Sequence, residues 1–171
     1  MLLSELLTRM TCGDLEGEEL EAAVTAITGA PSQPLEDWVD SDAQAYALEI
    51  INQLGGYIAS SDKIDELHEQ IQEMFEEFPD FPYELLKDRE RGVLPYYEWL
   101  DGELAQRAVD EGGYDLIQIE GSGTDNMDAL IVYRRDTADI IQAAALMGVT
   151  IERPLAYFRG VQAQIDAHKH G

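Results

Sequence analysis

Leu2, Leu3, Leu6, Leu7 and Met10 recur at the three- and four-residue spacing of one helix face, so the chain opens on a short amphipathic helix. A second helix begins near Asp14 or Glu18, turns Leu20, Ala23, Val24 and Ile27 inward, and stops at Gly29 and Pro31. Residues 31–34, with a proline at each end, form the best linker-like segment, and Trp38 beyond them is expected to pack as an anchor. Tyr46, Ala47, Ile50, Ile51 and Leu54 trace the buried stripe of a third helix, capped by Asp40 or Asp42 and ended by Gly55 and Gly56. The most regular helix follows, with Ile64, Leu67, Ile71, Met74, Phe75 and Phe78 on one side and Pro79 at its end. Its other side holds Asp62, Asp65, Glu66, Glu69, Glu73, Glu76 and Glu77. A short helix turns Leu85 and Leu86 inward, and Pro95 opens another that runs through Trp99, with Gly102 weakening its continuation toward Val109.

The period changes after Gly113. Residues 114–120 read as a strand, 121–128 as a polar turn, and 129–133, apolar at every position, as a strand covered on both faces. Asp136 caps a helix of about 12 residues that Gly148 closes; at about 1.5 Å per residue it spans about 18 Å. That length carries the chain back along a short strand, so 149–153 is expected parallel to 129–133 and beside it, with 114–120 on the other flank. A final helix, about 155–167, turns Phe158, Val161 and Ile165 inward. The predicted class is α+β and helix-rich. A three-stranded mixed sheet (hairpin 114–133, crossover helix, strand 149–153) is packed by helices. One domain spans 1–171, with an acidic helical half at about 1–92 and a sheet-containing half at about 93–171.

Composition fits a globular chain: 171 residues with 45% apolar content bury a sizeable core without staples. The single Cys12 forms no internal disulfide, which points to a reducing, cytoplasmic setting. Glu5 and Arg9 interrupt any signal-peptide core, and no run approaches the roughly 18 apolar residues of a membrane span. Charge changes the picture most. Thirty-five acids against eleven bases give −24, and residues 1–86 carry 20 acids against Arg9 and Lys63 alone. Such a field repels nucleic acid and anionic membranes and draws in basic partners or cations. The plainer reading is solubility, although −24 lies far beyond the usual magnitude of about 2–8 for a small domain.

Most common chemistries are excluded. His68-Glu69 starts like a zinc signature, but residue 72 is Gln, so His68 is expected on the polar face and no metal site is assigned. Gly121-Ser122-Gly123 lacks the preceding glycine of a nucleophile elbow and the following helix of a dinucleotide loop. The same turn carries Asp125, Asn126 and Asp128, hard oxygen donors without the spacing of a calcium loop. Trp99, beside Tyr96 and Tyr97, is either core or an interface anchor. Arg134 and Arg135 stand out in so acidic a chain, as neutralisers of nearby carboxylates or as an anion site beside the helix at Asp136.

The segment 114–153, with its Gly/Asp-rich turn and small-residue helix, resembles an uncharacterised family of small acidic bacterial proteins, as does the stretch around Trp99. The resemblance implies no activity. In general character the chain is also similar to toxin-immunity proteins. The expectation is therefore a non-catalytic binding protein with no cofactor. Its acidic half, through Asp62, Asp65, Glu66, Glu69, Glu73 and Glu76, docks a basic protein, as an immunity protein or a nucleic-acid mimic does. The alternative is an enzyme or a small-ligand or cation-binding protein with its site at 120–128, joined by Arg135. A homodimer is left open.

Overall fold

A four-stranded sheet separates two helical layers in the computed structural model, which describes residues 1–170. The elements follow in order as α1 Leu3–Met10, α2 Gly17–Gly29, α3 Asp42–Gln53, β1 Ala59–Ser61 and α4 Ile64–Glu73. After α4 come α5 Leu94–Ala105, β2 Tyr114–Ile119, β3 Met127–Tyr133, α6 Thr137–Leu146, β4 Ile151–Glu152 and α7 Pro154–His170. Strand order is β1-β3-β2-β4, and every pairing is antiparallel. Leu130 pairs with Ile117 and Asp128 with Ile119 on one face; Ile131 pairs with Leu116 and Ala129 with Gln118 on the other.

Alternation of side chains along β2 and β3 sends their apolar residues into two cores. Ile117, Ile119, Leu130 and Val132 meet α1, α2, α3 and α6. Leu116, Ala129 and Ile131 meet α4, α5 and α7. Full burial of each large aliphatic chain contributes about 1.5–3 kcal/mol, so β3 is held from both sides, as its unbroken apolar run predicts.

Helix-rich α+β is the observed class, but the sheet differs from expectation in two ways. It has a fourth strand, β1, which comes from the acidic half, so the sheet is not confined to residues beyond 93. It is also wholly antiparallel rather than mixed. β4 does run in the same direction as β3, as the length of α6 requires, but it lies two positions away, on the far edge of β2. The place beside β3 is filled by β1, whose Ala59 pairs with Ala129 and Ser61 with Met127.

Helix boundaries shift for local reasons. Ser41, not Asp40 or Asp42, caps α3, its hydroxyl accepting from the Gln44 N–H at 3.1 Å. α4 stops at Glu73, ahead of Pro79, leaving Met74 exposed and Phe75 and Phe78 on a turn. Ile165, expected inward, is exposed near the end of α7. Gly148 closes α6 with φ of 78°, where a side chain would also crowd Ala43. No helix among the described residues is long and apolar enough to cross a membrane.

Candidate functional site

α4 gathers the carboxylates expected to carry function. Leu67, His68 and Ile71 point into the core while Asp65, Glu66, Glu69 and Glu73 face water. Asp62 lies just before the helix and Glu76 on the turn beyond it, both exposed. Asp65 and Glu66 suit the positive end of the helix dipole; Glu73, at the other end, does not. Among the described residues, the Lys63–Glu66 contact at 3.5 Å is the only ion pair that touches this row.

The row continues onto the loop 80–86. Tyr83 is 49% exposed there, and Leu85 beside it is 46% exposed. Burial of one flank, then the charges of Asp65, Glu69 and Asp80, push the Tyr83 hydroxyl above its ordinary range. An aromatic ring rimmed by carboxylates can receive a lysine or arginine head group on its face while the carboxylates pair with it from the side.

His68 is not on the polar face. It is 2% exposed, with Nε2 2.9 Å from the Pro79 carbonyl oxygen and Nδ1 2.9 Å from the Tyr96 hydroxyl. A carbonyl only accepts, so Nε2 carries the hydrogen and, in the neutral ring, Nδ1 accepts from Tyr96. Phe78, Tyr96 and Trp99 surround the imidazole with ring centroids 5.5–5.8 Å away. The signal was in the spacing: His68 lies four residues after Ile64 and three before Ile71, on the apolar stripe. Trp99 is half-buried in this cage and packs on Phe81 at 5.2 Å.

The 120–128 turn does not converge on a site. Thr124 N–H donates to Ser122 Oγ and Asn126 N–H to Thr124 Oγ1, each at 3.3 Å, so the loop satisfies itself. Trp38, half exposed, lies across it: a Cβ on Gly123 would stand 2.7 Å from the indole ring. Asp125 and Asn126 are exposed, whereas Asp128 turns under the sheet, where Oδ1 accepts from Ser60 Oγ at 2.8 Å and Oδ2 has no partner. Arg134 and Arg135 sit at the opposite end of the seven-residue β3, about 20 Å along the strand. Arg134 donates to Asp101 at 2.7 Å and to the Tyr114 carbonyl at 2.9 Å. Arg135 pairs with Glu111 and lies 5.0 Å from the Tyr133 ring centroid. Both arginines neutralise carboxylates. Among the described residues no cluster of His, Cys, Asp and Glu is placed to hold a metal ion.

No protein-family model matches the chain, and neither a curated protein nor a solved structure matches it.

Two carboxyl contacts that sequence reasoning did not foresee depend on β4. Glu120 and Glu152 meet at the β2–β4 edge, where the hydrogen bond to Glu152, then burial and the charge of Glu152, push the Glu120 carboxyl up to about 7. Asp115, 2% exposed, accepts from Thr137 Oγ1 at 2.9 Å and Arg153 Nε at 2.7 Å, tying β2 to the start of α6 and the end of β4. Neither contact can be read without knowing that β4 pairs with β2.

Proposed function

We propose that the protein is a non-catalytic acidic binding protein whose α4 face docks a basic protein. One observation carries this reading. Of the 20 acids in residues 1–86, Glu66 is the only one in an ion pair among the described residues, while the first half's Arg9 reaches across to Asp136 and Asp139. In the second half, by contrast, Asp101, Glu103, Glu98, Glu111 and Asp115 each hold an arginine.

Uncompensated charge in one place costs self-repulsion, which a basic partner relieves. Asp65, Glu69 and Glu73 stand about 6 Å apart along the helix axis, a regular negative row of the kind a nucleic-acid backbone presents. Tyr83 and Leu85 supply apolar contact beside it, and both immunity-like neutralisation and nucleic-acid mimicry use such a surface. A reducing cytoplasm suits the free Cys12.

The test compares immobilised wild type with the triple variant Asp65→Asn/Glu69→Gln/Glu73→Gln. Native lysate is passed over both at about 50 mM and about 500 mM salt, and bound proteins are identified by mass spectrometry. A basic protein held by wild type at low salt, shed at high salt and missed by the variant is the expected result. Equal retention by the variant, or no basic protein at either salt, rejects the α4 face as a docking surface.

A further inference from the structure

Because α4 stops at Glu73, it leaves the far end of its sheet face uncovered. There a cavity of about 420 Å³ opens between the α1–α2 loop, Tyr57 and the end of α4. That volume lies within the range of about 300–1,000 Å³ typical of small-ligand clefts. Its apolar wall is Met10, Met74, Phe75 and Ile131, and Tyr57 and Tyr114 add two more aromatic rings. Phe75 and Tyr114 meet edge to face at 5.7 Å. No lysine, arginine or histidine lines it, and the one charged group is Asp14, whose Oδ2 accepts from the Tyr57 hydroxyl at 2.5 Å.

Cys12 also borders the cavity, its thiol directed at the Ile131 carbonyl at 3.7 Å. Burial pushes that thiol up, away from the thiolate that nucleophilic chemistry needs. The cavity is therefore suited to binding rather than to covalent catalysis.

We infer that this cavity binds a small organic ammonium ion, its apolar substituents against the aromatic and methionine wall and its charge beside Asp14. Tyr57, Phe75 and Tyr114 border the cavity, the Phe75 ring having Arg107 5.9 Å from its centroid and Tyr114 stacking one face on Tyr133. A quaternary ammonium needs no hydrogen-bond acceptors, only the faces that remain and a nearby carboxylate. An anionic ligand would meet Asp14 and the −24 field without a basic group to receive it. A neutral apolar ligand would leave the Asp14 carboxylate unused. The cavity adjoins the end of the α4 row, Met74 and Phe75 lying between Glu73 and Glu76, but the inference rests on its own lining and Asp14 and so stands or falls independently of the docking reading.

The probes are choline and its neutral carbon isostere 3,3-dimethyl-1-butanol, followed by protein-observed NMR at about 150 mM salt, where diffuse attraction is screened. Choline is expected to shift the resonances of Tyr57, Phe75 and Tyr114 saturably, and the alcohol to do so far more weakly. Asp14→Asn should weaken choline at least about tenfold, the consequence of removing one charge-assisted contact. Glu18→Gln removes an equal charge from the exposed start of α2 and should leave binding unchanged. Met74→Trp, at an exposed position, should fill the cavity and abolish binding in a protein that stays folded. The inference is overturned by any of four results: no saturable choline shifts at millimolar concentration, equal binding of the alcohol, equal weakening by Asp14→Asn and Glu18→Gln, or undiminished binding in Met74→Trp.

Discussion

Replacing Glu69 by Gln removes one charge from the middle of α4 while keeping side-chain size and helix propensity. Glu69 follows Asp65 by four residues and Glu66 by three, and precedes Glu73 by four, all of them exposed on the same helix. Each like-charged pair at such spacing costs about 0.2–0.5 kcal/mol. Three pairs sum to about 0.6–1.5 kcal/mol, and because Lys63 already offsets part of Glu66's charge, about 1 kcal/mol is expected. In a chain of this size that raises Tm by about 2–4 °C. The assay is urea unfolding, since guanidinium is itself a salt, at about 10 mM and about 1 M added salt. Across that range the Debye length falls from about 30 Å to about 3 Å, below the spacing of the row, so the gain should vanish. A Glu69→Gln protein no more stable than wild type at low salt, or one whose gain survives high salt, refutes the claim that the row is under electrostatic strain. The same substitution should weaken capture of a basic partner, so stability and binding move in opposite directions.

Asp115→Ala should cost about 2 kcal/mol in urea unfolding, because it leaves the buried Thr137 hydroxyl without its acceptor while the half-exposed Arg153 turns to water; a loss below about 1 kcal/mol would show that water replaces the carboxylate. His68→Leu keeps the apolar volume but strips the Tyr96 hydroxyl and the Pro79 carbonyl of their partner, so about 2–3 kcal/mol should be lost, and an undamaged variant would contradict the assigned bonds. For Glu120 the folded state holds the proton more tightly than the unfolded chain. Its contribution is complete below about pH 4.5 and is lost as pH rises through about 7. Carbon-13 NMR should find this carboxyl titrating near neutrality in wild type and near the ordinary carboxylate range in Glu152→Gln, and an ordinary midpoint in wild type rejects the pairing.

Elements with a long apolar period were legible from sequence, and contacts set by strand order were not. The stripes of α1 and α3 and the two-sided run of β3 announce what they bury, because periodicity records burial directly, although Leu2, counted on the α1 stripe, precedes the helix and is exposed. β1 is three residues long, Ala59–Ser61, and carries no alternation that separates it from a loop. Missing it displaced β4 in the expected topology, and with β4 went the Glu120–Glu152 and Asp115–Arg153 contacts. The exposed carboxylates of α4 were visible as a polar face, yet the same reasoning placed His68 among them by residue type rather than by position. The polar turn at 120–128 carries residue types that suit ligand chemistry, although its Ser122 and Thr124 hydroxyls serve its own backbone.

The distribution of ion pairs separates what the fold requires from what it does not. Arginines of the sheet-containing half stabilise junctions: Arg134 holds the end of β3 to α5 through Asp101, and Arg153 holds β4 to β2 through Asp115. Removing those acids should damage the fold. Of the α4 carboxylates only Glu66 makes a contact of this kind, accepting from Ser61 Oγ of β1 at 2.9 Å, and the helix is otherwise anchored by Leu67, His68 and Ile71 on its other side. Asp65, Glu69 and Glu73, which the core does not need, which repel one another and which have no ion-pair partner among the described residues, are a cost without a structural return. Solubility alone would be served as well by acids scattered over the surface. Their concentration on one helix, next to an exposed Tyr83, is the feature on which we propose that a cationic protein docks.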